Sequence, residues 1–175
     1  NFKDQAIIGV AYKKYFDASA CETGKSSWYT VEYNGCTYLY YDGFAAGTEV
    51  LELAPELFLG SFEPIAKSGE ISYAAEANGI RITTEGNEKT YLVLKITPTA
   101  ETIHTVTFKN AETVLGTFYV KNGGSISTEK FPAIPNKTGY TGRWEPASLN
   151  NITADQTIII AFLVPIPVIT IKTLV

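Results

Sequence analysis

The feature that most constrains this chain is the run Trp28 to Tyr41, in which β-formers alternate on both sides of Asn34-Gly35. An Asn-Gly pair between two such runs predicts a hairpin closed by a two-residue turn, because both turn residues need positive φ and these two supply it cheaply. That register places Tyr33 opposite Cys36, Val31 opposite Tyr38 and Tyr29 opposite Tyr40 on one face. The other face carries Thr30, Glu32, Thr37 and Leu39, with Trp28 opposite Tyr41. A second hairpin is expected at Asn78-Gly79, pairing Ala77 with Ile80 and setting Glu76 opposite Arg81 as a cross-strand ion pair. Gly86-Asn87 is expected to turn the chain again into Lys89 to Ile96, so that 71–96 form a three-stranded meander.

Helical periodicity is scarce. Ile7, Ile8, Ala11, Tyr12, Tyr15 and Phe16 fall on one helical face of Asp4 to Phe16, although Ala6 to Tyr12 can also be read as a strand. Pro55 to Leu59 is a candidate single helical turn. Pro98-Thr99-Ala100 interrupts the pattern and marks a domain boundary. Residues 1–98 are therefore expected to form an antiparallel β-sandwich or small barrel.

A content of 45% hydrophobic and 18% charged residues places the chain among globular proteins rather than disordered ones. The net charge is −4 and the charges are interspersed. No Lys/Arg cluster is present to attract a phosphate backbone, and no basic amphipathic stretch suggests a membrane surface. Thr157 to Val175 is almost wholly apolar, but Pro165, Pro167 and Lys172 interrupt it and β-branched residues dominate. Residues 165–175 are thus expected to be an extended strand and not a membrane span. Such a strand begins a following module or pairs with a neighbouring domain or another molecule; left exposed, it would invite aggregation. A bridge between Cys21 and Cys36 would close a loop of about 15 residues, worth roughly 3 kcal/mol. Two separate buried thiols are the alternative. With no initiating Met and no signal peptide, the sequence is expected to be a fragment or a processed product.

A second pattern begins at His104-Thr105-Val106-Thr107-Phe108. It continues through Val114 to Val120, Asn122-Gly123-Gly124-Ser125, Pro132 and Pro135, and Gly139-Tyr140-Thr141-Gly142-Arg143-Trp144. Ile152-Thr153-Ala154-Asp155, Thr157-Ile158 and Ala161-Phe162 close it. In this order the blocks resemble the Listeria–Bacteroides repeat, the B-repeat of internalin-type surface proteins, over about a third of the chain. The resemblance implies that 103–164 form a β-grasp-like module, a four-stranded sheet packed on a short helix. Val106, Phe108, Tyr140, Trp144 and Ile158 would be its structural core. Ser127 to Phe131 can supply the helical turn. The sequence departs from the usual pattern at Thr141, where an aromatic is frequent, and in the short Trp144–Ile152 loop. Such repeats occur in secreted or wall-attached bacterial proteins as spacer, stalk or contact modules, and they bring no catalytic residues. A shorter stretch, Trp28-Tyr29-x-Val31-x-Tyr33-Asn34-Gly35, resembles the late hairpin of bacterial Src-homology-3-like wall-binding modules. It lacks the strand that precedes that hairpin.

The residues themselves offer little chemistry. His104 is the only histidine. It opens a strand, a packing position, and no nucleophile elbow accompanies it. Two cysteines and one histidine in different domains do not suit a closed zinc site, so no metal is expected. Asn122-Gly123-Gly124 lacks the Lys and the helix of a phosphate loop. The spacing of Asp42, Glu49, Glu52, Glu56, Glu63 and Glu70 singles out no acid/base pair and no calcium loop. No motif marks an intramolecular Lys–Asn isopeptide bond. The aromatic hairpin is the best ligand site: Trp28, Tyr29, Tyr38, Tyr40 and Tyr41, with Tyr33 and Phe44 nearby, offer flat faces to a sugar. Packing into a sandwich core is the competing use of the same rings. The expectation is a non-catalytic, cofactor-free extracellular module of a bacterial surface or secreted protein. It would act in adhesion, ligand binding or spacing, with a protein or cell-surface glycan as partner. The alternative is a structural subunit of an extracellular or bacteriophage virion assembly, held by strand exchange through 165–175.

Overall fold

The computed structural model describes residues 26–43, 46–86 and 89–164. The expected helix at Asp4 to Phe16, Cys21, Phe44, Asn87 and the strand at 165–175 lie outside these residues. The described residues are mainly β, with several antiparallel sheets and no closed barrel among them. It divides after Glu101 into two compact units.

In the first unit, β1 (Ser27–Tyr33) and β2 (Cys36–Gly43) form the expected hairpin. Asn34 and Gly35 take φ of 50° and 73°, and the register runs from Tyr33↔Cys36 to Ser27↔Asp42. Next come β3 (Gly47–Glu52), the single helical turn α1 (Pro55–Phe58), β4 (Ser61–Ser68), β5 (Glu70–Glu76), β6 (Gly79–Glu85) and β7 (Thr90–Thr97). They make two antiparallel sheets, β1-β2-β7-β4 and β3-β6-β5. Side chains alternate across each strand. Leu39, Tyr41, Leu92, Leu94 and Ile96 of one sheet therefore meet Leu51, Ile71, Ile80 and Ile82 of the other in a shared core. This is a β-sandwich. Thr99 N–H donates to Glu56 O, which ties the stretch after β7 to this unit.

Two features of the second hairpin differ from expectation. Its turn is Ala77-Asn78, with Glu76 opposite Gly79 and Ala74 opposite Arg81. The Arg81–Glu76 ion pair still forms, on the diagonal. Gly79 serves packing rather than the turn: a Cβ there would lie 1.9 Å from the Leu51 carbonyl oxygen of β3. Nor do residues 71–96 form a meander. The chain crosses to the other sheet between β6 and β7, and β7 pairs with β2 over Thr37↔Ile96 to Gly43↔Thr90. Strand β4 is an edge, where Pro64 is tolerated because no sheet partner needs its missing N–H. The register with β7 shifts between Pro64 and Ala66.

The second unit contains β8 (Ile103–Asn110), β9 (Thr113–Lys121), β10 (Gly124–Ile126), a 3₁₀ turn at Thr128–Lys130, β11 (Thr141–Glu145), β12 (Leu149–Ile152) and β13 (Gln156–Leu163). Its main sheet has the order β11-β13-β8-β9, and β10 pairs with β12. The central strands β8 and β13 run parallel, while both outer pairs are antiparallel, a grasp-like arrangement. The 3₁₀ turn stands where one helical turn was expected. Val106, Phe108, Trp144 and Ile158 are buried, with Ile126, Leu149 and Ile152. Phe108 is central: Phe118, Phe131 and Trp144 all pack on its ring with centroids 4.8–5.4 Å away. Tyr140 corrects the expected core. It is 41% exposed. It precedes β11, past the last paired residue Thr141, so no facing strand covers its ring. It packs edge-on to Phe162 instead, and Lys137 Nζ sits 4.3 Å from its ring centroid.

Gly79→Ala is expected to destabilise the first unit more than Gly35→Ala in urea denaturation followed by circular dichroism. Gly35 carries positive φ with open space around it, so Ala costs about 1 kcal/mol of strain. At Gly79 two backbones have to separate, which costs about 1–3 kcal/mol or more. Equal losses at the two positions would contradict the packing role of Gly79.

Candidate functional site

The five candidate ligand residues lie on one hairpin, and strand alternation divides them. Tyr29, Tyr38 and Tyr40 point away from the sandwich core, whereas Tyr41 points into it and Trp28 lies opposite Tyr41. Tyr38, Tyr40 and Tyr41 are buried. Trp28 is 39% exposed at the edge of the sheet. The five therefore do not make one open stacking platform. Consecutive aromatics on a strand go to opposite faces, so high aromatic density in the sequence does not become one surface.

The face that gathers most of them is the outer face of β1-β2-β7-β4. Tyr38, Tyr40 and Val93 are its buried centre, with Tyr29, Val31, Cys36, Ile65 and Ala66 packed around them. The Tyr29 and Tyr40 rings stack in parallel, 4.8 Å between centroids and 6° between planes. Tyr33, at the turn end, is 40% exposed. Cys36 carries a free thiol, with Sγ 3.8 Å from the Thr97 hydroxyl.

Two buried polar groups belong to this face. The Tyr40 hydroxyl is inaccessible to solvent and has no hydrogen-bond partner among the described residues. Burial disfavours the phenolate and pushes its pKa up to about 12. Asp42, two residues along, is 2% exposed, and its Oδ2 lies 3.2 Å from Lys89 Nζ. Burial raises the Asp42 carboxyl above the usual range for aspartate; Lys89 lowers it and does not cancel that rise. The sequence names both residues as candidates but does not show their burial. Asp42 is one carboxylate among many, and only its burial sets it apart.

The remaining candidates are dispersed. Glu49, Glu52, Glu56, Glu63 and Glu70 lie on β3, α1, β4 and β5 and do not converge. Among the described residues, no group of three or more His, Cys, Asp or Glu side chains is placed to hold a metal ion. A shallow hollow at the β4–β5 corner is lined by Lys67, Glu70, Ser72, Thr83 and Glu85 and contains no aromatic ring. In the second unit, His104 Nε2 is 2.9 Å from Asn122 Oδ1, and Nδ1 is 3.7 Å from Asp155 Oδ1. The same Asp155 oxygen accepts the Thr105 N–H at 2.8 Å. His104 thus joins two loops through an amide and a carboxylate, neither of them a nucleophile.

Tyr40→Phe should stabilise the chain by about 1 kcal/mol in urea denaturation, because it removes an unpaired buried hydroxyl and keeps the stacked ring. A loss of that size would show that the hydroxyl has a partner. Asp42 predicts a pH dependence. Its folded pKa is raised, so its contribution to stability is full below the ordinary aspartate value of about 3.9 and is lost as pH rises through the folded value. Asp42→Asn should therefore melt above the wild type at pH 7, and the gap should close on acidification. A gap independent of pH would contradict the assignment. No family model, curated protein or solved structure matches the chain.

Proposed function

We propose that this chain is a non-catalytic extracellular module of a bacterial surface or secreted protein, acting in adhesion, ligand binding or spacing. One observation carries the reading. Residues from several of the sequence blocks that resemble the Listeria–Bacteroides repeat have a structural task in the second unit. Trp144 packs on Phe108 and donates its indole N–H to Pro132 O at 3.0 Å. Gly123, at φ 77°, turns the chain so that its N–H reaches Ile152 O, and Asp155 Oδ1 accepts the Thr105 N–H near the start of β8. Residues committed in this way build a scaffold. The first unit supports the same reading, since its aromatic residues are spent largely on packing.

The second reading is a subunit of an extracellular or virion assembly. It is favoured by the exposed apolar residues Ile159, Leu163 and Val164, two of which lead directly into the apolar stretch 165–175. Sedimentation velocity of the full chain between 1 and 100 μM, together with a glycan array, tests both. A monomer throughout supports the module. Concentration-dependent growth, abolished by deleting 165–175, supports the assembly and counts against the module. Glycan binding lost in Trp28→Ala would define the ligand as a sugar; absence of signal from every glycan would leave proteins as the partner class.

A further inference from the structure

A bare sheet edge pairs with a further strand unless something on it forbids the approach, and the edges of the sandwich differ in this respect. Strand β4 carries Pro64 and the register shift beside it. It also passes into β5 through Gly69 alone, so the chain itself closes that side of the sandwich. The opposite side holds the edges β1 and β3, close together, since the Ser26 hydroxyl donates to Glu49 of β3. Strand β1 has no Pro, no Lys and no register shift. On it Thr30 and Glu32 are exposed, and Trp28 is 39% exposed. The two-residue turn at Asn34-Gly35 makes Tyr33 and Cys36 a hydrogen-bonded pair, and such pairs then alternate along the hairpin. Ser27, Tyr29, Val31 and Tyr33 therefore turn their N–H and C=O groups toward β2. Trp28, Thr30 and Glu32 turn theirs to the open side, where no described strand meets them.

We propose that β1 pairs with β1 of a second copy of this chain, antiparallel and about a two-fold axis at Thr30. The hydrogen-bond phase selects this register. Only residues that both face outward can exchange bonds, and centring on Thr30 pairs the whole strand. Thr30 then meets Thr30 of the second copy, Trp28 meets its Glu32, and Tyr29 meets its Val31; the axis repeats the last two contacts with the roles exchanged. Thr–Thr and aromatic–β-branched pairs are among those that stabilise antiparallel strands. No like charges meet: Glu32 lies opposite an indole, and its carboxylate already accepts the Thr37 hydroxyl at 2.5 Å. The same operation fails on the edges β3 and β5. Strand β5, centred on Tyr73, would set Glu70 against Glu76 of the second copy. Strand β3, centred on Val50, would bring the two Glu49 carboxylates onto one diagonal. Like charges directly opposite are destabilising, and long side chains on a diagonal still reach each other. Charge thus leaves β1 as the edge that accepts its own copy, and the product is one sheet that runs through both sandwiches. The contact is confined to one strand and its flanks, the small class of interface that exchanges, so the dimer forms as concentration rises. Neither reading of the function depends on it.

Sedimentation velocity of the full 175-residue chain, from low micromolar to near-millimolar concentration, tests the proposal. The wild type should pass from monomer to dimer. Deleting 165–175 should leave that dimer intact, which separates this contact from strand exchange through the apolar stretch. Thr30→Lys places like charges on the axis and should stay monomeric with an unchanged circular dichroism spectrum; Thr30→Glu should do the same. An equimolar mixture of the two variants should dimerise again. A wild-type monomer at every concentration would overturn the proposal. So would a dimer that both variants retain, or one that disappears with 165–175. Should the variants lose their β-sheet spectrum, residue-resolved amide exchange of the wild type decides instead. Slower exchange at Trp28, Thr30 and Glu32 with rising concentration, beside unchanged Tyr29 and Val31, supports the pairing; absence of that alternation overturns it.

Discussion

The pairing of β2 with β7 is the contact on which the first unit depends. Seven residue pairs join strands separated by about fifty residues of chain, and these two strands form the middle of their sheet. Their inward residues Leu39, Tyr41, Leu92, Leu94 and Ile96 supply half of the sandwich core. Their outward residues supply the buried centre of the tyrosine face. Every other strand of that sheet is an edge resting on this pair. The loop entropy of so distant a pairing is offset by the side chains it buries on both faces, so its loss is expected to unfold the sandwich as one cooperative event.

What was legible in the sequence follows the range of the interaction. The β1–β2 hairpin could be placed to the residue because Asn34-Gly35 determines its turn and the turn determines the register. The short α1 followed from Pro55. Gly79 misled for a definite reason: glycine is used both where φ is positive and where another backbone comes close, and the second use leaves no local mark. The β6–β7 crossing was illegible because a strand that changes sheet has the same alternation as one that continues a meander. Strand β4 was hidden by Pro64 and the register shift beside it, both of which a sheet accepts only at an edge. The β8–β9 turn is Ala111-Glu112, with Ala111 at φ 52°. Nothing in that residue pair announces a turn, and the paired strands impose it.

The candidate site shows the same division. The sequence shows that aromatic residues are dense on β1 and β2, and alternation shows that they separate into two sets. Which set meets another layer depends on the rest of the molecule. Tyr41 faces the second sheet. Tyr38 and Tyr40 face away from it and are buried nonetheless, so the side opposite the core was the less predictable of the two. Asp42 is the polar counterpart: its spacing from the other carboxylates does not set it apart in the sequence, yet it is buried. Tyr140 errs in the other direction. It was expected in a core because it is large, and it is exposed because its position lies past the end of the paired strands.

In the second unit the loop residues of the sequence pattern tie loops to strands. Asp155 accepts from Thr105 N–H, Asn122 receives His104, and Gly123 turns toward Ile152. These contacts hold the loops at the ends of the parallel pair β8–β13, where a sheet this small has little apolar area to spare. Residues occupied in this way are not free to choose a partner. Selectivity would instead fall to side chains that the fold leaves alone, and on β13 these are Ile159 and Leu163, exposed on the face opposite Ile158 and Phe108. The outer face of such a unit can be rewritten without disturbing the residues that hold the fold, so those residues carry no information about any partner.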